Sequence, residues 1–94
     1  MNADEFFTSL KDNIPPKGLS KILTGLWYDA NDNWDKAHDL IDGCDEPGSA
    51  WAHAYLHRKE GDQWNADYWY RRADRKRPSI SLDAEREEII RSLI

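Results

Sequence analysis

The chain has 94 residues and a formal net charge of −5, and this length supports one domain with a single modest core. Its five tryptophans, four tyrosines and two phenylalanines exclude a disordered chain, which would be poor in aromatic residues. The acidic balance argues against a general nucleic-acid binder, because such proteins present a basic surface.

Apolar residues recur along the chain at the spacing of helix faces, and no segment alternates apolar with polar residues as a strand would. The longest stripe places Leu19, Ile22, Leu23, Leu26 and Trp27 at i, i+3, i+4, i+7 and i+8, which is one face of a helix. In chain order, the pattern predicts helices over residues 3–12, 17–31, 33–42, 48–60, 62–76 and 81–93. The predicted fold class is all-α, in one domain that spans residues 1–94.

Helix caps and breakers fall between the predicted helices. Asn33 and Asp62 are placed to cap the third and fifth helices, and Gly61 is placed to end the fourth. Ser79 or Ser81 is the expected cap of the sixth helix. The short links between helices two and three, and between helices four and five, predict two antiparallel hairpins.

The two central hairpins carry small residues at equivalent positions. When the hairpins are aligned by their turns, Gly25 falls on Ala54 and Ala37 falls on Ala66. Small residues at such points let two helices approach closely. The first and sixth helices are expected to cover the two ends of this pair, through Phe6, Phe7 and Leu10 at one end and Ile89, Ile90 and Leu93 at the other.

The second hairpin carries the residues of a known repeat type. Ala66, Tyr70 and Ala73 follow the Gly61-Asp62 turn, and the segment 68–73 (YWYRRA) looks like an ending common in Sel1-like repeats. The region 17–78 resembles the tetratricopeptide and Sel1-like repeat families. The resemblance implies two hairpins of this type, flanked by an N-terminal and a C-terminal capping helix. The chain is also similar to short bacterial proteins of unassigned function that share the stretch HAYLHRKEGD, and that similarity implies no activity.

In repeats of this type, the first helix of each hairpin lines a concave face. By that resemblance, Trp51, Tyr55, Arg58 and Lys59 face outward into a groove. Aromatic side chains beside cations suit a peptide with an acidic end. The leading hypothesis is therefore a protein–protein interaction module that binds a protein or peptide through this face. The alternative is that Trp51 and Tyr55 pack against a capping helix while the cations are solvated.

Three histidines form a second candidate site. His53 and His57 are four residues apart on one helix face, and His38 lies on the preceding helix, a neighbour in a stacked repeat. Three converging imidazoles are a known zinc-ligand set. The alternative function is thus a small metal-dependent or histidine-based enzyme with a divalent metal as cofactor. Partly buried structural histidines are the simpler interpretation, under which no cofactor is expected, and Ala54 stands where a hydrolase motif would have Glu.

The other charged and reactive residues predict no further chemistry. The basic run from Arg71 to Arg77 suits a helix C-terminus, so nucleic acid is not an expected partner. Cys44 is the only cysteine, which excludes an internal disulfide, and it is interpreted as inert. No apolar run is long enough for a membrane span or a signal peptide, so a cytoplasmic location is expected. The sequence leaves the oligomeric state open.

Overall fold

Six α-helices and no β-strand make up the computed structural model, which describes all residues from 1 to 94. The predicted fold class is confirmed. The helices are α1 (Ala3–Ser9), α2 (Lys21–Ala30), α3 (Trp34–Ile41), α4 (Ser49–Glu60), α5 (Gln63–Arg72) and α6 (Leu82–Leu93). Each of these helices is too short or too polar to cross a bilayer.

The predicted caps of α3, α5 and α6 are present. Asn33 accepts a hydrogen bond from the amide of Lys36, and Asp62 accepts one from the amide of Asn65. Of the two serines proposed for α6, Ser81 is the cap. Gly61 ends α4 with a φ of 88°, a conformation that glycine adopts without steric cost.

α1 ends at Ser9 instead of residue 12, and two other helix boundaries differ from the predicted ones by four residues because local hydrogen bonds override the apolar pattern. α2 begins at Lys21 instead of residue 17, since the Ser20 hydroxyl accepts from the amide of Leu23 and fixes the first turn there. α5 ends at Arg72 instead of residue 76. Asp74 has a φ of 57°, and the Arg75 amide donates back to the Tyr70 carbonyl at 2.8 Å. The end of the basic run therefore lies in a loop.

Within the first hairpin, α2 and α3 approach closely at Gly25. A Cβ atom at this position would lie 2.9 Å from Ile41 Cγ1 and 3.2 Å from the Ala37 carbonyl oxygen. Ala54 and Ala66, the equivalents of Gly25 and Ala37 in the second hairpin, are fully buried. Gly25 thus permits the close approach of α2 and α3, and the second hairpin buries small residues at the equivalent positions.

The C-terminal helix does more than cover one end of the hairpins. α6 packs on α4 and α2, which are the first helices of the two hairpins, and it buries Ile89 and Ile90 completely. α1 lies against α2, where the Trp27 indole donates to the Ser9 hydroxyl at 3.2 Å. α4 therefore has neighbours on both sides, α3 and α5 on one and α6 on the other.

A candidate metal centre

The central helix α4 carries two chemically different faces. His53 and His57 project from one face, where they contact aromatic rings of α3 and α5. Trp51 and Tyr55 project from the other, where they hydrogen-bond to carboxylates of α6 and α2. A two-residue offset turns a helix by about 200°, which explains why the two pairs lie on opposite sides.

The three histidines converge between α3 and α4. Each contributes one ring nitrogen to a group in which all three atoms lie within 4.8 Å of one another. The ring centroids are 5.0 Å apart for His38 and His53, 5.3 Å for His38 and His57, and 4.9 Å for His53 and His57. His53 is 3% exposed and His57 is 9% exposed, while His38 is partly exposed. The three rings thus form a nitrogen cluster that opens to solvent mainly beside His38.

Two tryptophans enclose this cluster. The Trp34 ring stacks on His38 at 5.0 Å with an interplanar angle of 11°, and the Trp69 ring stacks on His53 at 4.0 Å with an angle of 14°. The Trp34 indole is itself fixed, because it donates to the Leu56 carbonyl at 2.8 Å. The sequence did not predict that either tryptophan contacts the histidines, although Trp34 stands one helical turn before His38. The stacking restricts the two imidazoles to a narrow range of orientations.

Glu60 orients the third imidazole. Its Oε1 lies 2.6 Å from Nδ1 of His57, in the next turn of α4. A carboxylate accepts a hydrogen bond from this nitrogen, so in the neutral ring Nδ1 carries the hydrogen and Nε2 has the lone pair. A carboxylate in this position is typical of metal-binding histidines. The three-residue spacing of His57 and Glu60 is visible in the sequence and could have identified the pair.

The cluster keeps His53 neutral. Burial, together with the neighbouring rings of His57 and His38, lowers the pKa of His53 from 6.5 to about 4, against a smaller raising influence from Asp42. The neutral imidazole is the form that binds metal ions, because its free nitrogen carries a lone pair. Of the three histidines, only His57 makes a side-chain hydrogen bond within the protein. The ring nitrogens of His38 and His53 are free to bind a ligand.

A second group of potential ligands overlaps the first. His57, Glu60 and Asp62 also bring one ligand atom each within 4.8 Å of one another. Asp62 is already engaged, because it accepts from the amide of Asn65 at 3.2 Å and from its side chain at 2.6 Å. These hydrogen bonds lower the pKa of Asp62. Metal binding here would have to compete with the cap of α5.

The prediction of an open groove on the concave face is wrong, because α6 occupies the groove. Trp51 is 8% exposed and Tyr55 is completely buried, so neither faces solvent. The Tyr55 hydroxyl donates to the buried carboxylate of Asp29. Burial raises the pKa of Tyr55, and the hydrogen bond to Asp29 raises it further, so the phenol stays protonated and donates. The alternative that the sequence left open is right about the aromatics, which pack against a capping helix, and wrong about the cations, which are paired with carboxylates instead of solvated.

The two cations of that face are bonded within the protein. Arg58 pairs with Glu85 of α6 at 2.9 Å, and Lys59 pairs with Asp29 of α2 at 2.9 Å. The Trp51 indole also donates to Glu85, at 3.1 Å. Binding of a partner through these side chains stays a prediction, and it now requires α6 to leave the groove.

The remaining sequence candidates lie apart from the histidines. Arg77 pairs with Asp67 at 3.4 Å, and the Cys44 thiol donates to Glu46 at 3.3 Å. None of the cavities of the molecule is lined by any of the three histidines. The histidine cluster is therefore a compact group of ligand atoms and not the wall of a large pocket.

Comparison of the chain with protein-family models, curated proteins and solved structures finds no match.

Proposed function

We propose that this protein binds a divalent transition-metal ion through His38, His53 and His57. The observation that carries the proposal is the convergence of three ring nitrogens within 4.8 Å of one another. Three basic side chains that crowd together in this way repel one another once they are protonated. A bound cation would replace that repulsion with three favourable bonds.

The distances are close to those of a bound site. Zn²⁺ binds histidine nitrogens at about 2.0–2.1 Å, so two nitrogens in a tetrahedral site are separated by about 3.3 Å. Small rotations of the three rings would bring the nitrogens from their present separations to this value. Glu60 supports the fit, since it leaves Nε2 of His57 as the free nitrogen.

The ligand chemistry defines the class of metal. Imidazole nitrogens suit zinc, copper, nickel and iron, whereas magnesium and calcium prefer oxygen ligands. Three protein ligands leave a fourth position for water or an external ligand, on the partly exposed side of His38. We limit the proposal to metal binding and name no substrate, because the cavities of the molecule are lined by other residues.

Cobalt substitution tests the proposal. Co²⁺ added to the metal-free protein should produce the visible absorption of a tetrahedral nitrogen-ligated site, and zinc should displace it. We expect His38→Gln to weaken the apparent affinity by about 100-fold or more, since even the loss of an outer-shell partner costs about 10–100-fold. Asp62→Asn is the matched control. It removes a ligand of the overlapping group but keeps a side chain that can cap α5.

The two variants separate the competing sites. An unchanged affinity in His38→Gln, together with a large loss in Asp62→Asn, would assign the metal to His57, Glu60 and Asp62 instead. Absence of any cobalt spectrum in the wild-type protein would contradict metal binding by the three histidines.

A further inference from the structure

A separate cavity of about 710 Å³ lies at the start of α4. It is bounded by the connection 43–48, by the first turn of α4 and by the ends of α5 and α6. This volume falls within the range of about 300–1,000 Å³ that is typical of sites for small molecules. The histidines do not line it, so its chemistry is independent of the proposed metal centre. We call it the arginine cavity, after Arg72 and Arg75 in its wall.

The first turn of α4 presents hydrogen-bond donors to the arginine cavity. The N-cap of α4 is Gly48, which has no side chain to accept a hydrogen bond, whereas each of the other five helices has a side-chain cap. The Ser49 amide bonds to the Glu46 carbonyl, but the amides of Ala50 and Trp51 have no acceptor in the protein. Free amides at a helix N-terminus, where the helix dipole is positive, favour an anion.

Ser49 adds an independent sign of a ligand. Its side chain is in the wall of the cavity, and the residue is only 8% exposed. None of the side-chain hydrogen bonds of the protein involves this hydroxyl, and its oxygen keeps some accessible surface, since no fully buried side-chain oxygen or nitrogen lacks a partner. A ligand in the cavity can therefore form a hydrogen bond with the Ser49 hydroxyl.

Two arginines complete the set of donors. The Arg75 guanidinium lies 3.4 Å from the centre of the Trp51 ring, and the Arg72 guanidinium lies 5.1 Å from the centre of the Trp69 ring. Stacking on the tryptophans holds both cations at the cavity wall. Neither arginine pairs with a carboxylate. Their guanidinium groups therefore keep donors for an external anion.

Two carboxylates, of Asp45 and Glu46, also line the cavity. They offset the charge of Arg72 and Arg75, so the cavity does not attract every anion equally. Affinity must come from direct hydrogen bonds, which a ligand forms only when its acceptors match the donors in position and number.

We infer that the arginine cavity binds the phosphate group of a small phosphomonoester. The donors are two amides, a hydroxyl and two guanidinium groups, and a phosphomonoester dianion offers three terminal oxygens to accept from them. Arginine donates to such oxygens in pairs, and a helix N-terminus binds phosphate through its amides. A carboxylate has only two oxygens and would leave some of these donors without a partner.

Titration with phenyl phosphate, followed by NMR and calorimetry, tests the inference. The amide resonances of Ala50 and Trp51 should shift, and saturation should occur at one ligand per chain. We expect Arg72→Gln/Arg75→Gln to weaken binding by about 10-fold or more, since each charge-assisted hydrogen bond contributes about 1.5–3 kcal/mol. Arg71→Gln is the control, because it changes the charge of the same helix outside this cavity. It should change the affinity by less than about 2-fold, because Arg71 is exposed and solvent and salt screen its charge.

Ser49→Ala distinguishes binding at this site from a general electrostatic attraction of the ligand to arginine side chains. It should weaken binding by about 3-fold or more without altering the charge. Equal losses in Arg71→Gln and in the double variant would show diffuse attraction and overturn the inference. Phenylacetate binding as tightly as phenyl phosphate would overturn the assignment to phosphate. Unshifted amides of Ala50 and Trp51 would overturn the site. Each of these results would leave the cobalt experiment on the histidines unaffected.

Discussion

His53 is packed against Trp69 on one side and faces two further imidazoles on the other. Protonation would place a charge in this buried cluster, which is why burial and the neighbouring rings lower the pKa of His53 from 6.5 to about 4. In the unfolded chain the same ring takes up a proton at its ordinary pKa. Between these two values the unfolded state binds more protons than the folded state.

The metal-free protein should therefore lose stability as the pH falls. The contribution of neutral His53 to the free energy of unfolding is fully present above about pH 6.5 and is lost progressively as the pH approaches about 4. From about pH 8 to about pH 5 we expect the free energy of unfolding to fall by about 2 kcal/mol, equivalent to about 10 °C in Tm. Thermal unfolding across this pH range measures the effect.

His53→Gln supplies the control for this pH dependence, because glutamine has a polar side chain that does not titrate. Its Tm should change less between the same two pH values than that of the wild-type protein. Equal pH dependence in both proteins would show that His53 is not the group that titrates.

At the scale of elements, α6 is held in the concave face by a buried carboxylate. Glu85 is completely buried, and it accepts from the Trp51 indole at 3.1 Å, the Tyr70 hydroxyl at 2.6 Å and the Arg58 guanidinium at 2.9 Å. Asp29 of α2 has a similar role, with Arg86 of α6 as one of its donors. These contacts join α6 to both hairpins.

Removal of the Glu85 carboxylate should therefore be strongly destabilising. Glu85→Ala leaves the largely buried Arg58 without its partner, and we expect the free energy of unfolding to fall by about 3 kcal/mol or more. Glu88→Ala on the exposed side of α6 should change it by less than about 0.5 kcal/mol. Urea unfolding of both variants gives the comparison. Similar values for the two would mean that Glu85 does not hold α6 in place.

At the scale of the whole molecule, the sequence predicted the helices from caps and apolar spacing, which are local patterns. It did not predict the contacts between residues that are far apart in the chain. The caps at Asn33, Asp62 and Ser81 act over three residues, so the sequence displays them directly. The groove was mispredicted because α6 reaches it through pairs far apart in the chain, such as Trp51 with Glu85. No periodicity in the sequence encodes where a terminal helix docks.

The histidine cluster was predictable because it depends on only two adjacent helices. His53 and His57 share a face through their spacing, and α3, which directly precedes α4 in the chain, packs beside it. The stacking of Trp69 on His53 could not be read from the sequence, since it depends on the angle between α4 and α5. The arginine cavity was not predicted for the same reason, because its walls come from three separate stretches of the chain, 43–51, 69–75 and 92–93.

A metal ion at the histidines would join the first hairpin to the second, since His38 belongs to α3 and the other two ligands belong to α4. α6 already joins the hairpins on the opposite side of α4. A ligand that binds only the folded state stabilises it in proportion to the logarithm of its concentration above Kd. The proposed metal would thus add to the stability of the whole domain.

The most direct measurement is the zinc content of the untagged protein after equilibration with Zn²⁺ and removal of the unbound ion. We predict about one zinc per chain for the wild-type protein and less than about one tenth of that for His38→Gln/His53→Gln. Equal zinc contents in the two proteins would contradict metal binding by the three histidines.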